Sequence, residues 1–524
     1  MRKQLLFASI FCLTTCSLFA QSDATAKIRK EGLENSQVMD IAFHLTDVSG
    51  PRLTNSPGFF RAASWAKDQL IKMGLVNAVI EPWGDFGTGW EQTRCYVAMT
   101  APYYAPMVAI PRAWTGSTPG KNIINREVII IKAKDSAELY QNYSGKVKDR
   151  IVMFYSKDTL HPSFEADGNR FTDEALNKMA NSKIDTSRRA PRNVSPEMMA
   201  ARRQQQALAR AMNGFYNKEK PALVLSMNGR GNDGTLFVQN GGSVDKDKIG
   251  DNNYAWVMLS SDDYLRVQRL VEAGEKVEME ADVKTKFYDK DIKGYNVVAE
   301  IPGTDPVLKD EVVMLGGHLD SWQGATGATD NAAGCAVMME VVRILKATGL
   351  QPRRTIRIAL WSGEEQGLHG SRNYVKNHFA DPADMVLKPG HNMISAYYNL
   401  DNGTGKIRGI YLQNNEAAGP IFAKWLEPFY DLGAKTVTID NTGGTDHQAF
   451  DAVGIPGFQF IQDQIEYDTR THHTNMDTYD HLIPDDLKQA ATIIASFVYN
   501  TAQLDQKIPR KELPKARPAG GRNF

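Results

Sequence analysis

The sequence has little cysteine. Only four of its 524 residues are cysteine, and two of these, Cys12 and Cys16, lie at the extreme N-terminus. The other two, Cys95 and Cys335, can form at most one disulfide, which excludes a fold built on a disulfide framework, and no zinc-finger spacing is present. Cys335 lies in an apolar segment and is expected to pack as a buried thiol, although a pairing with Cys95 stays open.

The chain also lacks net charge and long apolar runs. Lys and Arg number 61, as do Asp and Glu, which argues against a nucleic-acid-binding protein that relies on bulk electrostatics. The N-terminal apolar run is too short for a transmembrane helix, and no later stretch approaches the roughly 20 apolar residues that such a helix needs. The length suits two or three domains, and the hydrophobic content of 42% is typical of a globular protein.

The N-terminal segment predicts an export signal. Arg2 and Lys3 precede the short apolar run 5–13, and the small residue Ala20 closes the segment. This pattern is typical of a secretory signal cleaved after Ala20, so we expect a periplasmic or secreted protein. A lipoprotein signal in which Cys16 carries the lipid is the less favoured interpretation, because the residue before Cys16 fits it poorly.

Five short motifs place metal-binding side-chain types after apolar segments. Three of those segments, 312–315, 356–361 and 396–400, are predicted strands. In an open α/β sheet, catalytic groups gather at the carboxyl ends of strands, so we expect these side chains to share one crevice. In chain order the motifs contain His318 and Asp320, Asp330, Glu364 and Glu365, Asp401, and His472 and His473.

The residue types in these motifs suit a pair of zinc ions. Imidazole and carboxylate groups are ordinary zinc ligands, and two ions about 3.5–4 Å apart can stabilise both oxygens of a hydrolytic transition state. One carboxylate must then bridge the ions, and another must accept a proton from the attacking water. The adjacent Glu364 and Glu365 can divide the roles of base and ligand. Any one of these motifs is explained by acidic residues on the surface or by histidines that hydrogen-bond within the fold. The occurrence of all five motifs in this order is poorly explained in that way.

The motif order H-x-D, D-N, G-E-E-x-G, L-D and H-T-x-x-D resembles the co-catalytic dizinc exopeptidases. That family includes leucyl aminopeptidases, glutamate carboxypeptidase II and carboxypeptidase Q. The resemblance covers residues 290–505 closely and the upstream part loosely. The twelve-residue step from His318 to Asp330 and the pair His472–His473 look most like the carboxypeptidase Q branch.

The resemblance implies a site for two Zn²⁺ ions. His318, Asp330 and Asp401 would hold one ion. Asp330, Glu365 and His473 would hold the other, so that Asp330 bridges the two. His473 is the implied ligand of its pair because the H-T-x-x-D pattern begins at this residue.

Other roles also follow from the resemblance. Glu364 would be the general base, and Asp320 would orient the His318 ring without binding metal. His472 would face the substrate and donate a hydrogen bond to the developing oxyanion.

Three further residues are implied to bind substrate. Asp446 and His447 belong to a Gly-Gly-Thr-Asp-His segment that resembles a loop beside the substrate pocket, and they are expected to line that pocket rather than bind metal. Tyr467 is a candidate hydrogen-bond donor to the tetrahedral intermediate, and a purely packing role explains it equally well.

The predicted fold is a three-layer α/β sandwich with a central mixed, mostly parallel sheet, plus an inserted β-rich domain. Strands alternate with helices in the C-terminal half. The β-rich part resembles the protease-associated domain found inserted in these exopeptidases, with a helical excursion at about 160–219. The predicted division is 1–20, signal peptide; 21–119, N-terminal part of the catalytic domain; 120–285, protease-associated domain; 286–505, dizinc peptidase core; and 506–524, disordered basic tail.

The favoured function is an exported zinc exopeptidase that hydrolyses short peptides or dipeptides with metal-activated water. An aminopeptidase of the same fold is the alternative, because the sequence offers both cations for a substrate carboxylate and acids for a substrate amine. A glutaminyl cyclase-type acyl transferase with one zinc and a non-catalytic receptor-like module are less favoured. The expected partner is a peptide, not nucleic acid, and a homodimer stays open.

Overall fold

The computed structural model describes residues 23–184 and 195–517. The predicted signal peptide and Cys16 lie outside these residues. In the described part, no helix combines the length and the apolar character that crossing a membrane requires.

The described strands and helices are numbered in chain order. The strands are β1 Val76–Asp85, β2 Gly89–Ala101, β3 Ala105–Pro106, β4 Ala109–Pro111, β5 Ile124–Ile131, β6 Ile151–Phe154, β7 Leu223–Ser226, β8 Trp256–Leu259, β9 Glu278–Tyr288, β10 Lys293–Ile301, β11 Val312–His318, β12 Thr355–Trp361, β13 Ile394–Asn399, β14 Ile407–Tyr411, β15 Thr436–Thr438 and β16 Gly457–Gln462. The helices are α1 23–34, α2 Val38–Phe43, α3 Pro57–Lys72, α4 Ser136–Tyr143, α5 Asp173–Ala180, α6 Pro196–Glu219, α7 Ser261–Glu272, α8 Ala333–Ala347, α9 His369–His378, α10 Gly419–Leu426, α11 His447–Asp451 and α12 Pro484–Gln503.

The first sheet has the strand order β1-β10-β12-β11-β13-β16-β14-β15. Its centre is parallel, since β11 runs parallel to β12 and β13, and β13 runs parallel to β16. Alternate residues of β11 face opposite sides of the sheet. Val313 and Leu315 pack in one hydrophobic cluster with α8 and α12, and Met314 packs in another with α9 and α11. This arrangement confirms the predicted α/β sandwich with a mixed central sheet.

Helix α8 begins shortly after Asp330 and is buried along almost its whole length. Every residue from Ala333 to Leu345 is buried, as expected for a helix covered on all sides. Its one internal acid, Glu340, is neutralised by Arg343 at 2.6 Å. Cys335 of this helix is a free thiol, as is Cys95, and the Cys335 Sγ atom lies 3.0 Å from the carbonyl oxygen of His318.

The second sheet has the order β3-β2-β9-β5-β6-β7-β8-β4. It includes strands β2, β3 and β4, which lie upstream of the predicted boundary at residue 120. Two helices, α5 and α6, occupy the segment that was predicted as a helical excursion. The division of the chain into domains stays a prediction.

The C-terminal segment corrects one expectation. Residues 506–524 were predicted to be disordered, yet the described part of this segment packs against the first sheet. Ile508 is 2% exposed, and Arg510 donates hydrogen bonds to the carbonyl oxygens of His391 and Ile394. A Pro-rich, basic composition does not reveal that one apolar side chain and one guanidinium have specific partners. Residues 518–524 lie outside the described residues.

Candidate metal centre

The carboxyl ends of three parallel strands bring together the predicted ligands. His318 is the last residue of β11, and it lies opposite Trp361, the last residue of β12. Glu364 and Glu365 follow β12 on a turn that begins at Gly363, whose φ of 65° is readily adopted only by glycine. Asp401 follows the third strand, β13, which also runs parallel to β11. Because β11, β12 and β13 point the same way, the residues at their carboxyl ends meet at one edge of the sheet.

Asp330 lies at the centre of the site. Its Oδ1 atom is 3.2 Å from Nε2 of His318, and its Oδ2 atom is 3.2 Å from Nε2 of His473. Asp477 holds this segment in place, since its carboxylate accepts hydrogen bonds from the backbone N–H groups of Thr329 at 2.5 Å and Asp330 at 3.1 Å. The two oxygens of Asp330 therefore face two different imidazoles.

The other predicted ligands complete two groups around Asp330. Nε2 of His318 is 3.3 Å from Oδ1 of Asp401. Nε2 of His473 is 2.9 Å from Oε2 of Glu365. His472 is also close, with its Nε2 atom 3.8 Å from Oδ2 of Asp330.

The donor atoms of this cluster fit metal ions. Within the described residues, Oδ2 of Asp330 and Oε1 of Glu365 are buried and make no hydrogen bond of regular geometry. Burial raises the pKa of Glu364 well above its usual range and that of Glu365 to about 7. Bringing so many carboxyl groups together away from water is unfavourable unless cations neutralise them. Imidazole nitrogens and carboxylate oxygens in one cluster suit Zn²⁺.

Asp320 supports the cluster in a way that the sequence did not predict. It was expected to orient the His318 ring, and it does so through its backbone, because Nδ1 of His318 lies 3.0 Å from the Asp320 carbonyl oxygen. The Asp320 carboxylate is 3.7 Å from the same nitrogen. That carboxylate instead accepts hydrogen bonds from the hydroxyl of Thr54 at 2.9 Å and from the backbone N–H groups of Glu364 and Glu365 at 3.3 and 3.4 Å. Nε2 of His318 is thereby left free to bind metal.

Two of the three candidate substrate-binding residues are buried beneath the site. Asp446 and His447 are both 0% exposed, because the start of α11 packs under strands β13 and β16. Neither side chain reaches the surface, and the expectation that they line the substrate pocket stays a prediction. Burial also lowers the pKa of His447 to about 4. Tyr467 lies closer to the expected position, with its ring centroid 4.8 Å from that of His472.

Arg52 is a supporting residue that the sequence did not reveal. Its side chain is fully buried, and it donates hydrogen bonds to the carbonyl oxygens of Leu319 at 2.6 Å and Gly327 at 2.8 Å, and also to that of Thr326. These carbonyls belong to the segments that follow His318 and precede Asp330. No local pattern connects an arginine to carbonyls more than 260 positions away in the chain, so sequence periodicity cannot find it.

Comparisons with known proteins agree with this fold. Residues 296–498 match the model of peptidase family M28. The resemblance to dizinc exopeptidases that the motifs indicated is thereby confirmed at the level of the family.

The chain is most usefully compared with carboxypeptidase Q. It is 30% identical to carboxypeptidase Q of Mus musculus over 252 residues, which is 48% of this chain and 51% of that protein, so the match spans about half the length of this relative. It is 24% identical to carboxypeptidase Q of Bos taurus over 466 residues, 89% of this chain and 85% of that protein. The solved structure of a peptidase M28 precursor from Shewanella amazonensis covers 94% of this chain and 99% of its own, with a TM-score of 0.65 at 20% identity. At that identity, the likeness shows the fold.

Proposed function

We propose that the chain is a zinc-dependent exopeptidase that hydrolyses short peptides or dipeptides in the manner of carboxypeptidase Q. The observation that carries the proposal is the position of Asp330, whose two oxygens lie 3.2 Å from the Nε2 atoms of His318 and His473. A carboxylate shared by two metal sites has this arrangement. The similarity to carboxypeptidase Q supports the same activity.

The proposed ligands follow from the two groups around Asp330. His318, Asp330 and Asp401 would hold one Zn²⁺ ion. Asp330, Glu365 and His473 would hold the second. Zinc ions at these positions would polarise the scissile carbonyl and lower the pKa of a water molecule.

Glu364 is the proposed general base. Its Oε2 atom is 4.0 Å from Nε2 of His318 and its side chain is 9% exposed, so it borders the cluster beside the ligand Glu365. Burial raises the pKa of Glu364 well above its usual range, which makes the carboxylate a better proton acceptor. In this role, Glu364 takes the proton of the attacking water and delivers it to the leaving amine.

His472 is the proposed donor to the oxyanion. Its ring is 23% exposed, so one edge remains accessible to a substrate. A neutral imidazole that keeps its proton on Nε2 can donate a hydrogen bond towards the scissile carbonyl oxygen as negative charge develops there.

The substitution Glu364→Gln tests the proposed activity. It preserves size and hydrogen bonding but cannot accept the proton, so we expect two bound zinc ions, nearly unchanged KM, and a kcat lower by about 10²–10⁴. Turnover and zinc content should be measured on the same preparation. The control is Glu416→Gln, an isosteric change at an exposed position, which should leave both unchanged. Near wild-type turnover of Glu364→Gln with two zinc ions bound would remove the base role.

Zinc content also separates the alternative functions. Elemental analysis should give near two ions per chain for the proposed exopeptidase, near one for a glutaminyl cyclase-type acyl transferase, and none for a receptor-like module. An aminopeptidase would also hold two ions, and it is distinguished by hydrolysis of dipeptides whose carboxyl end is blocked.

A further inference from the structure

The second sheet places a cation beside the candidate metal centre. Arg230 lies in the loop that follows β7, and its Nη2 atom is 3.2 Å from Nδ1 of His472. Nε2 of the same imidazole is 3.8 Å from Oδ2 of Asp330. One imidazole ring therefore separates the Arg230 guanidinium from the carboxylate that we place between the two zinc ions.

Arg230 is held there by contacts to the segment that carries the ligand His473. Its guanidinium carbon lies 4.2 Å from the ring centroid of Phe237, and that ring is 5.3 Å from the ring of His473. The neighbouring Val238 N–H donates a hydrogen bond of 2.8 Å to the carbonyl oxygen of His473, and Phe237 forms a β-bridge with Thr474. These contacts hold the Arg230 loop against the segment that carries His473.

Most of the hydrogen-bonding capacity of Arg230 is unused. A guanidinium has five N–H donors, and the contact with His472 is its one polar contact within the described residues. No carboxylate there lies within ion-pair distance of it, whereas the nearby Arg470 is paired with Asp167 and Glu466. Arg230 is exposed, so an anion arriving from solvent can reach it.

We propose that Arg230 binds the free α-carboxylate of the peptide's C-terminal residue, so that the enzyme acts as a carboxypeptidase or dipeptidase. This inference rests on the proposed zinc peptidase function. Guanidinium and carboxylate groups form strong paired hydrogen bonds. Adjacent Cα atoms are about 3.8 Å apart. If the scissile bond lies at the metal centre, the α-carboxylate of the next residue therefore lies about the width of one imidazole ring from that centre. This matches the position of Arg230 on the far side of the His472 ring. A substrate ammonium in that place would be repelled by Arg230.

The proposal is tested with pairs of dipeptides that differ only in having a free or an amidated C-terminus. The wild type should prefer the free acid. Arg230→Ala should raise KM for the free acid by about 10–100-fold, the range for losing a hydrogen-bonded charged partner, and should leave KM for the amide and the zinc content unchanged. The KM of Arg230→Lys for the free acid should lie between the values for the wild type and Arg230→Ala, because lysine keeps the positive charge but lacks the planar guanidinium group. The matched control Arg269→Ala removes another exposed arginine, on α7, and should alter neither substrate.

Two kinetic results would overturn the proposal. If Arg230 acts only by orienting His472, Arg230→Ala will lower kcat on the acid and the amide alike. If the wild type cleaves both forms equally and Arg230→Ala changes neither, the carboxylate assignment fails while the peptidase function stands. Hydrolysis of neither form by zinc-loaded wild type would instead refute the proposed function, and this inference with it.

Calorimetry supplies a measurement that does not depend on turnover. The free-acid dipeptide should bind zinc-loaded Glu364→Gln about 10-fold or more tightly than it binds Glu364→Gln/Arg230→Ala. The amide should bind the two proteins equally. Equal affinities of the two proteins for the free acid would overturn the proposal.

Discussion

Removing the Arg52 side chain should weaken both the fold and the metal site. The fully buried guanidinium donates to four backbone carbonyls, those of Leu45, Leu319, Thr326 and Gly327. Gly327 has a φ of 60°, and a Cβ atom there would lie 2.3 Å from Cβ of Ser321. This crowded turn leads to Asp330, so the position of the proposed bridging carboxylate depends on it.

The expected magnitude follows from the number of acceptors that lose a partner. Arg52→Met retains the length of the side chain and removes every donor, so each of the four carbonyls loses a hydrogen bond, although that of Gly327 still accepts one from the backbone N–H of Ala332 at 3.0 Å. A buried polar group without a partner lowers the free energy of unfolding by about 1–3 kcal/mol. The variant also avoids the desolvation penalty of a buried guanidinium charge, which offsets part of that loss. We therefore expect a loss of about 3–5 kcal/mol in the free energy of unfolding, as when a buried charge network is broken. Zinc affinity should fall by about 10–100-fold, as for groups that position metal ligands.

Urea unfolding and competition with a zinc chelator measure these two effects. The control is Arg150→Met, which removes an arginine that is 45% exposed and paired with Glu127; exposed pairs contribute about 1 kcal/mol or less. The stability and the zinc affinity of Arg52→Lys should lie between those of the wild type and Arg52→Met, because a lysine ammonium group cannot reach all four carbonyl acceptors. Wild-type stability and zinc affinity in Arg52→Met would show that these carbonyl contacts contribute nothing.

Two further predictions concern the metal cluster. Asp330→Ala should lower the occupancy of both zinc sites, whereas His318→Ala should mainly empty one; elemental analysis of the two variants tests this, and full activity of Asp330→Ala would refute the shared-ligand model. His472→Ala should keep both zinc ions and lower kcat by roughly 10²–10³, the usual contribution of an oxyanion donor. Loss of a zinc ion from His472→Ala, with His473→Ala unaffected, would reverse the roles of the two histidines.

Much of the candidate site was predictable from the sequence for a simple geometric reason. Parallel strands end at the same edge of a sheet, so metal-type residues that directly follow apolar segments must converge. His318 ends the central strand β11, Asp401 follows β13, and the pair Glu364–Glu365 follows β12. The alternation of apolar residues along β12 and the apolar character of α8 likewise determined which elements form the core.

The tertiary structure decided everything that depends on contacts between distant segments. Arg52 and Arg230 reach the centre through bonds to residues more than 200 positions away, and no local periodicity records such contacts. The structure also decided that Asp320 orients His318 through its carbonyl oxygen and that Asp446 is buried beneath the site. Sequence pattern determines which residues leave a strand end, whereas packing determines which atom of each residue faces the site and which remote side chain supports it.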